Sequence, residues 1–190
     1  MKITLIPSAV SLGNGNRGSF LSTESLRNDI FNGRAWPDFI SMSENGMPFV
    51  SVELLESGHQ VEVGNLRLTP IAVDHLVPTL GFLINAPGVT VAVPSDTGPT
   101  ELFWRAAAAE PDLKGVFLEV SFPDDMAALA QVSKHLTPST FAGEIRKLSR
   151  TVPFIAVHIK PRFYDKVVAE LSALGLSNVR IGKPGETYVF

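Results

Sequence analysis

Apolar and polar residues alternate with period two in a series of short stretches in the first half of the chain, each bounded by turn-forming residues. Residues 49–54, 59–63, 66–74, 80–85 and 89–93 read as strands, punctuated by Gly58, Gly64-Asn65 and Pro87-Gly88. Connections this short join antiparallel neighbours, so a meander is expected. The pattern changes after Asp96. Helical spacing over 99–109, 124–132, 138–150 and 162–174 is interleaved with the apolar strands 116–120 and 154–158, and strands 178–181 and 187–190 end the chain. Met1-Lys2-Ile3-Thr4-Leu5-Ile6 reads as a short strand broken by Pro7, not as the apolar core of a signal peptide. Residues 23–32 read as a short helix stopped by Gly33. The expected fold class is α/β (α+β), a sheet layer covered by helices.

Bulk properties narrow the field. At 190 residues the chain suits one domain, 1–190, with a substantial core. An apolar content of 45% with 18% charged residues is that of a globular protein. The net charge is −3 with no basic run, so no nucleic acid partner is expected. No run reaches membrane-spanning length, and a cytoplasmic protein without membrane contact is expected. The absence of cysteine removes disulfides, thiolate metal sites and cysteine nucleophiles together.

Chemistry concentrates at strand ends. Asp96 follows the apolar run 89–93 in Ser95-Asp96-Thr97-Gly98-Pro99-Thr100, where Pro99 is expected at the first position of a helix. An aspartate there is by itself an ordinary helix cap. Three of the four histidines lie in comparable places. His75 closes strand 66–74, His158 ends strand 154–158, and His135 precedes a helix start in Ser133-Lys134-His135-Leu136-Thr137-Pro138. A lone histidine of this kind is usually structural. Three of them with an aspartate point to a shared site, and imidazole with carboxylate suits zinc, manganese or iron. His59 lies in a turn and reads as exposed. The polar loop Asn14-Gly15-Asn16-Arg17-Gly18 lacks the lysine of a P-loop and reads as surface. Trp36 and Phe39 either wall a pocket or anchor a loop.

The order His75, Asp96, His135, His158, with Ser95-Asp96-Thr97-Gly98, Ser133-Lys134-His135-Leu136-Thr137-Pro138 and His158-Ile159-Lys160-Pro161, resembles the metallo-β-lactamase superfamily. Gly81-Phe82-Leu83-Ile84, the Asp96-Thr97-Gly98-Pro99-Thr100 turn and Glu119-Val120-Ser121-Phe122-Pro123 resemble its class II 3′,5′-cyclic-nucleotide phosphodiesterases, cousins of the tRNase Z nucleases. The resemblance implies an αββα sandwich and two zinc-like ions. It makes His75 a ligand of one ion, His158 a ligand of the other and Asp96 their bridge. His135 becomes the acid or phosphate-positioning residue. Ser95 stands where that family usually has glycine.

One departure is large. The family's His-x-His-x-Asp-His motif is absent, since no two histidines lie closer than His59 and His75. The gap falls near Leu21 to Ser25, leaving the sandwich incomplete in its N-terminal half. Exposed sheet edges in such a chain favour a homodimer. Two-metal hydrolysis needs both ions, so tight dinuclear binding is not expected of this chain alone. The leading expectation is a metal-dependent phosphodiesterase acting on a 3′,5′-cyclic nucleotide. The competing ones are an inactive remnant and a tRNase Z-like nuclease, the latter disfavoured by the acidic charge balance.

Overall fold

A computed structural model of the chain describes residues 1–4, 17–18, 24–34, 36–45 and 53–190. These fall into two compact units, Met1–Pro7 with Ser57–Phe190, and Ser8–Glu56, where the sequence reading takes 1–190 as one domain. The expected surface loop at residues 14–16, most of the expected strand 49–54, and residues 21–23 beside the apparent gap lie outside the described residues.

In chain order the strands are β1 (Lys2–Thr4), β2 (Arg17–Gly18), β3 (Glu53–Leu54), β4 (Val61–Val63), β5 (Leu66–Ala72), β6 (Leu80–Ala86), β7 (Val89–Val93), β8 (Leu113–Glu119), β9 (Phe154–Val157), β10 (Val179–Ile181) and β11 (Thr187–Val189). The α-helices are α1 (Phe39–Glu44), α2 (Leu102–Ala109), α3 (Ala127–Ser133), α4 (Pro138–Ile145) and α5 (Tyr164–Ala173).

The smaller unit pairs β2 with β3 in parallel and carries α1. Asp38 caps that helix by accepting from the Ser41 amide at 2.9 Å, and this bond holds its carboxyl below the ordinary range. The expected helix over 23–32 contains a single π-helical turn, Leu26–Ile30, and Gly33 follows with φ +74°. Phe39 packs edge-on against Phe31, whereas Trp36 is 60% exposed.

The larger unit holds a seven-stranded sheet in the order β10-β9-β8-β7-β6-β5-β4. Its first half is the expected antiparallel meander, and β7 to β10 are parallel. The change follows from connection length: connections of two to seven residues without helices link β4 to β7, while helices carry the chain across from β7 onward. Strand alternation separates the two faces. Leu83, Ala92, Val116, Leu118, Phe154 and Ala156 pack with Phe103, Trp104, Phe141, Val167 and Leu171 from α2, α4 and α5. Val91, Phe117 and Ile155 face the other way and meet Tyr188 of β11, which pairs antiparallel with β1. Each such large apolar side chain contributes about 1.5–3 kcal/mol by burial. Among the described residues the second layer of strands is this two-stranded pair, and no helix is long and apolar enough to cross a membrane.

Helix α2 begins at Leu102, three residues beyond Pro99. Ahead of it, Thr97 N–H donates to Glu119 at 3.2 Å and Thr100 N–H to Glu144 at 3.0 Å. Glu144 is buried and also accepts from Trp104 Nε1 at 2.6 Å and pairs with Lys147 at 2.7 Å. Burial pulls the Lys147 ammonium down, but its bonds to Glu101 and Glu144 outweigh that and leave it above the ordinary lysine value.

Candidate metal centre

β5, β7, β8 and β9 run in one direction, so their carboxyl ends share one edge of the sheet. Alternating sheets with helical crossovers bind ligands at that edge, where loops are free to vary. His75 follows β5, Asp96 follows β7, Glu119 ends β8 and His158 follows β9. His135 arrives from the turn between α3 and α4. That turn is tied over β8 because the Ser121 and Phe122 amides donate to Leu136 O at 3.0 and 3.3 Å.

The four predicted residues meet. One ligand atom from each of His75, Asp96 and His135 lies within 4.8 Å of the others, all three half-buried. His158 Nε2 lies 3.5 Å from Asp96 Oδ1. The His135 ring sits between the other two imidazoles, 5.1 Å from that of His75 and 5.6 Å from that of His158. The compact triad therefore contains His135, which the sequence reading makes an acid, and not His158, which it makes a ligand.

Outer hydrogen bonds orient both triad imidazoles. His75 Nδ1 faces Lys134 O at 3.2 Å and His135 Nδ1 faces Glu119 Oε1 at 2.6 Å. Both oxygens are acceptors, so each Nδ1 carries the proton and each Nε2 offers a lone pair. Glu119 is 1% exposed and takes further hydrogen bonds from Ser121 Oγ and from the Thr97 and Leu136 amides. The sequence reading quotes Glu119 within Glu119-Val120-Ser121-Phe122-Pro123 but gives it no role, and the structure sets it against His135. Lys134 Nζ pairs with Asp74 at 2.8 Å, and Asp74 O accepts from the Gly98 amide at 2.7 Å, which ties the loops of His75, Asp96 and His135 together.

Backbone strain gathers at the same edge. Ser95, Lys134 and His158 adopt φ values of 61°, 57° and 61°, the only non-glycine left-handed residues among those described. Each costs about 1–2 kcal/mol relative to ordinary backbone. Such strain persists where surrounding structure dictates side-chain direction, and it clusters at functional sites.

The donor chemistry fits one divalent ion. Two imidazoles and a carboxylate with an open position are a mononuclear catalytic set, and ligand bonds of about 2.0–2.2 Å place tetrahedral donors about 3.4 Å apart. The triad, with its atoms within 4.8 Å of one another, would have to draw in to that spacing around an ion. Glu119 behind His135 supplies the carboxylate that commonly backs a metal-bound imidazole.

Comparison with known proteins agrees with this architecture. No family model matches the chain. It is similar to PqqB from Methylobacterium extorquens, a Zn(2+)-bound structure, with a TM-score of 0.66 at 16% identity over 92% of this chain and 64% of that one. The metallo-β-lactamase fold protein YhfI from Bacillus subtilis superposes with a TM-score of 0.61 at 14% identity, covering 73% of this chain and 55% of that one. The chain has the metallo-β-lactamase fold. Its seven-stranded sheet and helical layer are one side of that sandwich. In sequence, this metallo-β-lactamase-fold chain is 29% identical over 163 residues to a protein of Yersinia pestis named a probable 3′,5′-cyclic-nucleotide phosphodiesterase. The match covers 73% of the chain and 47% of the relative, so the chain spans about half the length of the curated protein it matches.

Proposed function

We propose that this chain is a metal-dependent hydrolase that opens the cyclic phosphate of a 3′,5′-cyclic nucleotide, of the cyclic AMP type, to give the 5′-monophosphate. The observation that carries the reading is the convergence of His75, Asp96 and His135 within 4.8 Å at the carboxyl edge of the sheet. The substrate class is taken from the similarity to the Yersinia pestis protein. A zinc, manganese or iron ion suits the donor set, and when bound it supplies charge stabilisation to the phosphoryl oxygens.

His75 and His135 hold the ion through Nε2, because their Nδ1 atoms are engaged by Lys134 and Glu119. Asp96 contributes a carboxylate oxygen. His158 stands beside Asp96, outside the triad, and in this reading its Nε2 passes a proton to the departing 3′-oxygen. These roles exchange His135 and His158 relative to the family resemblance. Reach is the reason: a single ion cannot serve imidazoles intended for two separate ions without backbone movement, whereas the central His135 ring adjoins His75 directly.

The test is release of 5′-AMP from cyclic AMP by the full chain with zinc or manganese. Turnover above a chelated control supports the reading, and none with either metal contradicts it. The missing His-x-His-x-Asp-His motif favours one alternative, a folded but inactive relative. Its mark is normal secondary structure by circular dichroism, substoichiometric metal after dialysis and no turnover.

A further inference from the structure

The segment after His158 carries a cation for which the proposed chemistry has so far found no use. Lys160 is half-buried, and Pro161 directly after it opens a single 3-10 turn, closed by the Phe163 amide donating to Lys160 O at 2.8 Å. This fixes the direction in which the side chain leaves the backbone. Its Nζ lies 5.0 Å from the centre of the Phe122 ring. Phe122 is 6% exposed, and the same ring meets His135 at 5.8 Å and Phe163 at 5.9 Å. One phenyl ring thus separates the ammonium from the imidazole at the centre of the candidate site.

Among the described residues the Lys160 ammonium has no carboxylate partner, and Asp165, five residues on, does not pair with it. The acidic side chains flanking Phe122 and those on the neighbouring loops and helix have other partners. Asp124 accepts from the Ser139 amide and hydroxyl at 2.9 and 2.7 Å, Asp125 pairs with Lys166, Glu170 accepts from the Asp124 amide at 2.8 Å, and Asp74 pairs with Lys134. Cation–π attraction is weaker than a charge-assisted hydrogen bond to a carboxylate or phosphate oxygen. In a protein of net charge −3, a cation seated on the ring that also meets His135, without an anion of its own, marks where a negatively charged ligand would rest.

We propose that Lys160, braced on Phe122, is an anion-binding residue that takes a phosphoryl oxygen of the substrate. This rests on the phosphodiesterase reading for the identity of the substrate, but not for the binding of phosphate itself. The alternative is a lysine whose stem merely covers an apolar ring while its head remains in water.

Two measurements separate the possibilities. First, inorganic phosphate is titrated into the chelated full chain and followed by NMR, so that no metal ion contributes. The wild type and K160R are expected to bind it, K160Q to bind at least about fivefold more weakly, and the exposed-site control K114Q to match the wild type. Equal binding by K160Q and wild type, or no binding by the wild type, overturns the proposal, provided thermal unfolding shows K160Q folded. Second, cyclic AMP turnover is measured with zinc. With turnover, K160Q should raise KM more than it lowers kcat. Phosphate binding that depends on Lys160 in a chain without turnover leaves this proposal standing and removes the phosphodiesterase reading.

Discussion

Glu119 Oε1 accepts the Nδ1 proton of His135 at 2.6 Å, from a carboxylate that is 1% exposed. A buried acceptor in this position decides which imidazole nitrogen faces the candidate site. It also costs free energy unless its remaining lone pairs are filled, and Ser121 with two backbone amides fills them. The end of β8 is therefore built around an imidazole and not around a core contact.

E119Q tests that arrangement with little change of shape. The amide turns one acceptor into a donor that confronts the Leu136 amide or the Ser121 hydroxyl. Zinc affinity is expected to fall about 10–100-fold, with a loss of about 1–3 kcal/mol in stability. Competition titration with a chromophoric chelator reads the first and urea unfolding the second. Unchanged zinc affinity would remove Glu119 from the site.

Gly81 supports the loop of Asp96 from below. A Cβ at this position would lie 2.7 Å from Phe103 Cε2 and 2.8 Å from both Cα and O of Pro94. The Pro94 backbone cannot yield without moving Ser95 and Asp96, so G81A is expected to cost about 1–3 kcal/mol. A shift of the urea midpoint with an unchanged slope reports it. A variant as stable as the wild type contradicts the packing described.

Tyr188 gives a pH signature on the other face of the sheet. Burial and a hydrogen bond to Glu186 push its phenol up to about 12, so the folded state favours the neutral form. The ordinary value is about 10. This stabilisation is complete below about pH 10 and is lost as pH rises towards about 12. Urea unfolding at pH 9 and 11 should show a smaller alkaline loss for Y188F than for the wild type. Parallel losses contradict it.

The strands around the site were legible because their residues alternate by burial and end at turns. His75, Asp96 and His158 were found by standing where those patterns stop. The approach of His135 to His75 and Asp96 was not legible, since it depends on the α3–α4 turn folding back over β8 through Leu136 O. Glu119 was quoted for its segment, but its contacts stayed hidden for the same reason: its partners Thr97, Ser121, His135 and Leu136 come from three loops. The helix after Pro99 begins three residues later than the local sequence suggests, at Leu102.

The account stands on a single ion held by His75, Asp96 and His135. Zinc content after equilibrium dialysis, measured by mass spectrometry on the folded wild type and on H75A, D96A, H135A and H158A, tests it most directly. One zinc per chain is expected in the wild type and in H158A, with loss of zinc in the other three. A wild type that retains no zinc, or an H158A that loses it while H135A keeps it, contradicts the assignment.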